Sequence, residues 1–550
     1  MASIKVRCNN KEFLFEQAVT LEQLSLKVKD DYKRDIIVGS INNHLLDLSA
    51  KVTKDCQVDF FDVSSPAGNM AYERGLSFLF SKSVRDLLNC DVKISYTLGK
   101  GIFCEILSNN PISEVTVEKI KMRMRDLVSN AMPIDKINVS RLDAIDYYEK
   151  INQFDKASAL RYISNSSISL NKLDNVLDYY YGPLPNNTKV IDKYNVKYLK
   201  DNYVVLLYPY LYDIEMELKY EKSDKLIHEI LRSCKYQNDL NLNNSTDLNK
   251  LISNGNYGDI IRISESIQDN RIFQIADNIS KNKNIRMILV TGPSSSGKTT
   301  TSKKLNLFLK SKGINPFVIS VDDFYVNIKD RVLDKNGNPE YEKIEAIDTK
   351  LFNENIKDLL DGKEVELPKY DFVKGEKKYS GEKTKLGEND VLIIEGIHAF
   401  NKELTSSINE SAKFKLYLCP LTALNIDNHN RIRSTDNRLI RRMVRDNMVR
   451  GSSATRTLGV WKDVREAEEK YVLPYENDAN EILNTSLAYE LGVLKTYAEP
   501  LLFSVSEDNP NYDEAIRLIN LFRSILAIPS DSVPSDSIIR EFIGGSCFNS

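Results

Sequence analysis

The stretch Ile285-Arg286-Met287-Ile288-Leu289-Val290-Thr291-Gly292-Pro293-Ser294-Ser295-Ser296-Gly297-Lys298-Thr299 decides how the second half of this 550-residue chain is read. Ile285 to Val290 is a short apolar run of strand length. Gly292 to Thr299 fits G-x-x-x-x-G-K-[ST], and Leu305, Phe308 and Leu309 then share one face of a helical segment. Strand, glycine loop and helix in that order are the context in which this motif has a mechanism. Backbone N–H groups across Gly292, Ser294, Ser295, Ser296 and Gly297 point inward at phosphate oxygens. The helix N-terminus, with Thr300 in its first turn, adds a positive dipole end. Lys298 reaches the β/γ-phosphates, and the Thr299 hydroxyl sits on Mg²⁺.

Working outward, short apolar strands alternate with longer helical patterns, the signature of an α/β parallel sheet. Phe317 to Val321 reads as the second strand and delivers Asp322-Asp323-Phe324-Tyr325 at its C-terminal end, where α/β sites lie. Val391 to Ile394 is a further apolar strand ending in Glu395, a carboxylate placed to hold Mg²⁺. A carboxylate such as Asp322 beside a phosphate loop can accept a hydroxyl proton during phosphoryl transfer. Residues 431 to 456 carry eight arginines against Asp436 and Asp446, a net charge of +6 over 26 residues. Arg438, Arg442 and Arg445 share a helix face and are expected to close as a lid over the γ-phosphate. The guanine-reading pattern N-K-x-D occurs only at Asn171-Lys172-Leu173-Asp174, far upstream of the loop, which argues against a GTPase.

These pieces resemble the uridine kinase/phosphoribulokinase family. The matching motifs are Gly292 to Thr299, Asp322 to Tyr325, Leu367 to Phe372, Glu395-Gly396-Ile397 and Asp436 to Arg442. The resemblance implies an ATP- and Mg²⁺-dependent kinase acting on a hydroxyl of a nucleoside-like small molecule. Asp322 is then the general base, Lys298 its catalytic partner, and Thr299 and Glu395 the metal ligands. Arg442 falls on the substrate and Arg445 and Arg450 on phosphates, with Tyr325, Tyr370 and Phe372 as pocket aromatics. Departures fall on the pyrimidine-reading positions. The family's F-D-H-P is Tyr341-Glu342-Lys343-Ile344 here, so Glu342 takes the ribose-binding place. The base-reading His falls on Gly375 and the Arg after R-G on Ser452. Uridine or cytidine is therefore the family default, and a sugar-phosphate acceptor stays open.

The front half has its own relatives. Residues 1–64 look like a TGS domain, an α+β β-grasp module, with a T-x-x-Q capping box at Thr20 and Gln23. Residues 65–235 look like the α+β second additional domain of threonyl-tRNA synthetase. That domain's editing ligands, H-x-x-x-H and C-x-x-x-H, fall on Glu73 and Ser77, then Tyr180 and Leu184. No histidine lies between His44 and His228, so no histidine-based hydrolytic site can be built there. RNA or ribosome contact through residues 1–235 remains an alternative role, with the phosphate loop as a nucleotide switch. Residues 236–284 are read as linker and helical connector, because 236–256 hold seven asparagines and Ile260, Ile263 and Ile267, then Ile272, Ile275 and Ile279, recur at helical spacing. Residues 285–550 form the kinase unit with a C-terminal helical extension, whose final Ile539-Arg540-Glu541-Phe542-Ile543 suggests no role. That extension is expected to pack on the kinase core or serve a homo-oligomer.

Composition sets the frame. With 42% hydrophobic and 28% charged residues, the chain is neither disordered nor a disulfide scaffold. Lys plus Arg total 75 against 78 Asp plus Glu, which excludes a surface wholly built for nucleic acid. Seven scattered cysteines, none spaced C-x-x-C, and no apolar run of membrane length predict a cytoplasmic protein with reduced thiols and no membrane partner.

Overall fold

The computed structural model describes residues 3–331, 343–371, 374–387, 390–405, 408–422 and 424–548. Five parallel strands build its central sheet, in the spatial order Pro316–Ser320, Val391–Glu395, Met287–Thr291, Lys413–Cys419 and Glu481–Asn484. The inner strands Val391–Glu395 and Met287–Thr291 are apolar up to their last residue because both faces are covered. On one face Ile288, Val290, Ile393 and Leu416 pack against Leu305 and Leu309 of the helix Lys298–Ser311 and Ile272, Ile275 and Ile279 of the helix Tyr257–Ser280. On the other, Met287, Leu289, Leu392 and Ile394 join Phe324, Phe352 and Ile356.

That second cluster continues into the front half. It takes in Leu226 and Ile230 of the helix Asp224–Asp239, and Phe103, Val205 and Leu207 of a four-stranded antiparallel sheet. The sheet order is Asn195–Lys200, Tyr203–Leu207, Gly101–Ile106, Val92–Leu98. Its opposite face packs on the long helix Pro66–Leu88 through Tyr72, Leu76, Leu79 and Phe80. Ahead of this lies a five-stranded mixed sheet, ordered Lys11–Phe15, Ile4–Cys8, Cys56–Asp62, Ile36–Ile41, His44–Asp47. The helix Leu21–Val28 covers it with Leu21, Leu24 and Val28. Its start is the expected capping box: Gln23 N–H donates to Thr20 Oγ1 at 3.1 Å, and Thr20 N–H to Gln23 Oε1 at 3.0 Å.

The asparagine-rich stretch 236–256 is not the linker its composition predicts. It finishes one helix, holds a second at Ser245–Ser253, and buries Asn244 and Asn249. Asn249 donates to Ser524 O at 2.9 Å and accepts from Leu526 N–H at 2.8 Å, so its amide ties the C-terminal helices in place. The helix Tyr257–Ser280 forms as expected, but its first half is rotated from the expected face. Ile260 and Ile261 are buried and Ile263 is exposed, because polar Ser264, Glu265 and Gln268 turn inward instead. Leu518, Phe522 and Ile525 of the C-terminal extension are buried with Met443 and Val444 of the arginine-bearing helix Ser434–Arg450. Among the described residues, no helix is long and apolar enough to cross a membrane.

Candidate active site

The phosphate loop lies where the strand Met287–Thr291 meets the helix Lys298–Ser311. Two glycines are required by its shape. A Cβ on Gly292 would stand 2.4 Å from Leu418 O, and Gly297 adopts φ 83° at the helix N-cap. Thr291 Oγ1 donates to Gly396 O and Ile397 O at 3.0 and 2.9 Å, which fixes the loop against the neighbouring strand end. Lys298 Nζ donates back to Gly292 O and Pro293 O at 3.1 and 3.0 Å.

The register of the sheet assembles the carboxylates. Glu395 lies level with Ser320 on one neighbour and Val290 on the other, so it ends its strand beside the loop and beside the turn that carries Asp322. Thr299 Oγ1 donates to Glu395 Oε1 at 3.3 Å. A hydroxyl and a buried carboxylate so placed are an oxygen donor pair that suits Mg²⁺, which takes few protein ligands and keeps several waters. Burial and then the nearby Asp322 push Glu395 up to about 7. Burial likewise raises Asp322, against the opposing pull of Lys298, Arg450, Arg445 and Arg331. Lys298 is lowered by burial, while Glu395, Asp322, Glu541 and Glu468 favour its charge. These groups thus sense one another across one small volume. The second aspartate of the pair faces away from them. Asp323 Oδ1 accepts from Tyr370 N–H at 3.2 Å and holds the strand Lys369–Asp371 against the site.

Tyr325 and Tyr370 come together as expected, with ring centroids 5.6 Å apart. Against both rings lies a residue the sequence did not flag. The Arg331 guanidinium sits 4.6 Å from the Tyr325 centroid and 5.2 Å from that of Tyr370, and donates to Tyr370 Oη at 2.7 Å. Glu342 and Phe372 lie outside the described residues.

The arginine segment differs from the free lid expected. Seven of its eight arginines are paired. Arg438 makes two bonds to Glu468, at 2.6 and 3.0 Å, and one to Ser294 O at 3.2 Å. Arg441 pairs with Glu490 and donates to Ser295 O at 3.2 Å. Arg442 donates to Ser294 Oγ at 2.9 Å, which places it on the phosphate loop. Arg442, Arg445 and Arg450 gather around Asp446, with N–O distances of 3.3, 2.9 and 3.4 Å. The remaining pair, Arg431 and Arg433, turns away and binds Glu73 in the front half. Positive charge concentrated on one helix was legible in the sequence. Its buried acidic partners were not, since Glu468 and Glu490 look like ordinary helix glutamates.

Two more carboxylates reach the loop itself. Glu468 Oε1 accepts from Ser294 N–H at 2.7 Å, and Glu541 Oε2 accepts from Thr300 N–H at 3.1 Å. No cluster of three or more His, Cys, Asp or Glu among the described residues is arranged to hold a metal.

A parallel sheet in this strand order, a glycine loop running into a helix and two carboxylates at adjacent strand ends define a P-loop kinase domain. Residues 287–488 match the family described as Phosphoribulokinase / Uridine kinase family. The chain is 31% identical over 210 residues to uridine-cytidine kinase B of Dictyostelium discoideum, which covers 38% of this chain and 77% of that one. It is 29% identical over 228 residues to the uridine kinase of Mycoplasma genitalium, covering 40% and 97%. The chain belongs to the phosphoribulokinase/uridine kinase family. It is also 23% identical over 185 residues to the threonine–tRNA ligase of Syntrophotalea carbinolica, a match that takes 32% of this chain but spans only 28% of the ligase.

Proposed function

We propose that the chain is an ATP- and Mg²⁺-dependent kinase that transfers the γ-phosphoryl group to a hydroxyl of a nucleoside-like small molecule. The observation that carries this reading is the convergence of Lys298, Thr299, Glu395 and Asp322 at three neighbouring strand ends. Thr299 and Glu395 would hold Mg²⁺, which would supply charge neutralisation to the phosphates. Lys298 gives up its loop carbonyls to meet the β/γ-phosphates. Asp322 takes the acceptor's hydroxyl proton, and Arg442, Arg445 and Arg450 offer planar donors to the transferring group.

Uridine and cytidine head the acceptor candidates because of the relatives. Arg331, packed against both Tyr325 and Tyr370, adds a cation beside the pocket aromatics and favours an acceptor that also carries an anionic group, such as a sugar phosphate. The likeness of the front half to threonine–tRNA ligases motivates a second reading, an RNA- or ribosome-associated nucleotide switch. In either case the front half is read as a TGS-like and synthetase-like binding module without catalysis, and the cytoplasm as the setting. One experiment separates these readings: labelled ATP incubated with the full chain and a panel of nucleosides and sugar phosphates, with and without tRNA. Transfer to a nucleoside supports the proposal, and transfer only to sugar phosphates moves the acceptor class. No transfer, with ATP hydrolysis answering to tRNA, replaces the kinase by the switch.

A further inference from the structure

The last helical turn of the chain, Arg540–Ile543, sits directly on the phosphate loop. Ile538 packs so close to Gly297 that a Cβ there would stand 2.6 Å from Ile538 Cγ2. Beyond it, Glu541 Oε2 accepts from both Thr300 N–H, at 3.1 Å, and Thr300 Oγ1, at 2.9 Å. Thr300 is the third residue of the helix Lys298–Ser311, so its N–H is one of the first-turn donors that have no partner within the helix. These are the donors with which a phosphate loop grips its nucleotide. Lys298 serves the β/γ side and Thr299 the metal, which leaves the next turn position for the α-phosphate.

The segment that carries Glu541 is a built part of the fold. Ile538, Ile539 and Phe542 are fully buried, and the Arg441 guanidinium stacks 5.0 Å from the Phe542 centroid. Arg540 donates to Ser530 O and Val533 O at 2.9 and 2.7 Å. The Glu541 side chain itself is half-buried, so it can swing outward while its backbone stays. Glu468, the other carboxylate on the loop, differs in kind. Arg438 and Arg465 neutralise it, at 2.6 Å each, and it accepts from the loop's Ser294 N–H. Glu541 directs both of its described hydrogen bonds to Thr300 and adds its charge to those of Asp322 and Glu395 around Lys298.

We propose that Glu541 is an internal competitor for the nucleotide: its carboxylate occupies the α-phosphate position on Thr300 and must swing aside before a nucleoside triphosphate can seat. The C-terminal turn thereby sets the enzyme's nucleotide affinity. This rests on the reading of the loop as a nucleoside triphosphate site, and the contact deepens that reading into an autoinhibited one.

The test uses the full chain and isothermal titration with Mg·ATP. Glu541→Gln keeps the size and an acceptor oxygen but removes the charge, and Glu541→Ala removes the group. Asp536→Asn removes one charge from the same segment without touching Thr300. Both Glu541 variants are expected to bind Mg·ATP about tenfold more tightly or better, the scale of a charge-assisted hydrogen bond, while Asp536→Asn stays within about twofold of wild type. The apparent KM for ATP should fall in parallel. If wild type binds Mg·ATP and Glu541→Gln binds no more tightly, the competitor is overturned and the nucleotide site stands. Equal tightening by Asp536→Asn also overturns it, in favour of a diffuse charge effect. If none of the four proteins binds a nucleoside triphosphate, the nucleotide reading falls and takes the competitor with it.

Discussion

Asp322 and Glu395 sit on adjacent strand ends, and burial favours the protonated form of both. A general base needs the opposite, a free lone pair at neutral pH. The cations facing Asp322, namely Lys298, Arg450, Arg445 and Arg331, are therefore part of its chemistry, since each favours the carboxylate. Asp322→Asn preserves the shape and removes the proposed proton acceptor. It is expected to lower phosphoryl transfer by about 100-fold or more while leaving ATP affinity within about threefold. Single-turnover transfer beside a binding titration reads both, and a variant with wild-type turnover would sink the assignment. At this scale the sequence was informative wherever a residue type is forced by local geometry. Gly292 and Gly297 have no room or no alternative φ, and Lys298 and Thr299 follow them at fixed spacing. It was silent on Arg331, Glu468 and Glu541. Their roles depend on partners up to 241 positions away, and nothing local marks a glutamate that will meet a loop N–H.

The helix Ser434–Arg450 shows the same limit one level up. Its existence and its charge were readable, because a run of good helix formers with arginines on one face admits few other readings. Its burial was not. Met443 and Val444 dock on the C-terminal helices, and the arginines dock on acids from Glu468, Glu490 and Asp446, so the element is a packed wall of the site. The asparagine-rich stretch 236–256 misled for a related reason. Asparagine is common in linkers, but here the Asn249 amide fills buried hydrogen bonds to Ser524 O and Leu526 N–H. The wall makes a direct prediction. Arg438 and Arg465 hold Glu468 down at about 2 despite its burial, and the carboxylate also takes the Ser294 N–H. Glu468→Ala leaves the buried Arg438 guanidinium and a loop amide without their carboxylate, while Arg465 keeps Glu469. It is expected to cost about 3–5 kcal/mol of stability, read as a lower urea midpoint. A loss below about 1 kcal/mol would mean that the pair is solvated in solution.

At the scale of the whole molecule, the two halves are joined by a strap. Residues 424–433 cross from the parallel-sheet half to the front half and lie against Ile94, Tyr179 and Glu73. Asn425 Nδ2 donates to Ile94 O at 2.8 Å, Ile94 N–H to Asn428 O at 2.7 Å, and Asn430 Nδ2 to Tyr179 O at 2.9 Å. Glu73 is paired with Arg431 and Arg433, and Arg433 is the N-cap residue of the arginine helix itself. The front half thereby grips the root of the element that walls the phosphate loop. At the strap's centre, His429 Nε2 meets Asp91 Oδ1 at 2.7 Å and Nδ1 meets Asp178 Oδ2 at 2.6 Å. Burial lowers the His429 pKa and Lys156 repels its charge, yet Asp91 and Asp178 outweigh both and lift it to about 9. The same contacts, with Lys156 on Asp178, hold Asp91 and Asp178 below the usual carboxylate range against their own burial. A raised histidine stabilises the fold fully below its unfolded value near 6.5 and loses that contribution as pH climbs through about 9. The lowered aspartates act in the other direction, contributing above about 4 and fading on acidification. The strap is thus firmest between about pH 4 and 6.5 and loosens toward pH 9, by a few kcal/mol on the scale of the histidine shift. Urea midpoints of the full chain should fall between about pH 6 and 9, and His429→Gln should flatten that slope. An unchanged slope in the variant would place the titration elsewhere. Glu73→Ala, which removes the carboxylate partner of Arg431 and Arg433 at the helix root, should lower phosphoryl transfer although it lies far from the phosphate loop in sequence. Wild-type transfer in a folded Glu73→Ala protein would show that the front half holds the kinase without tuning it.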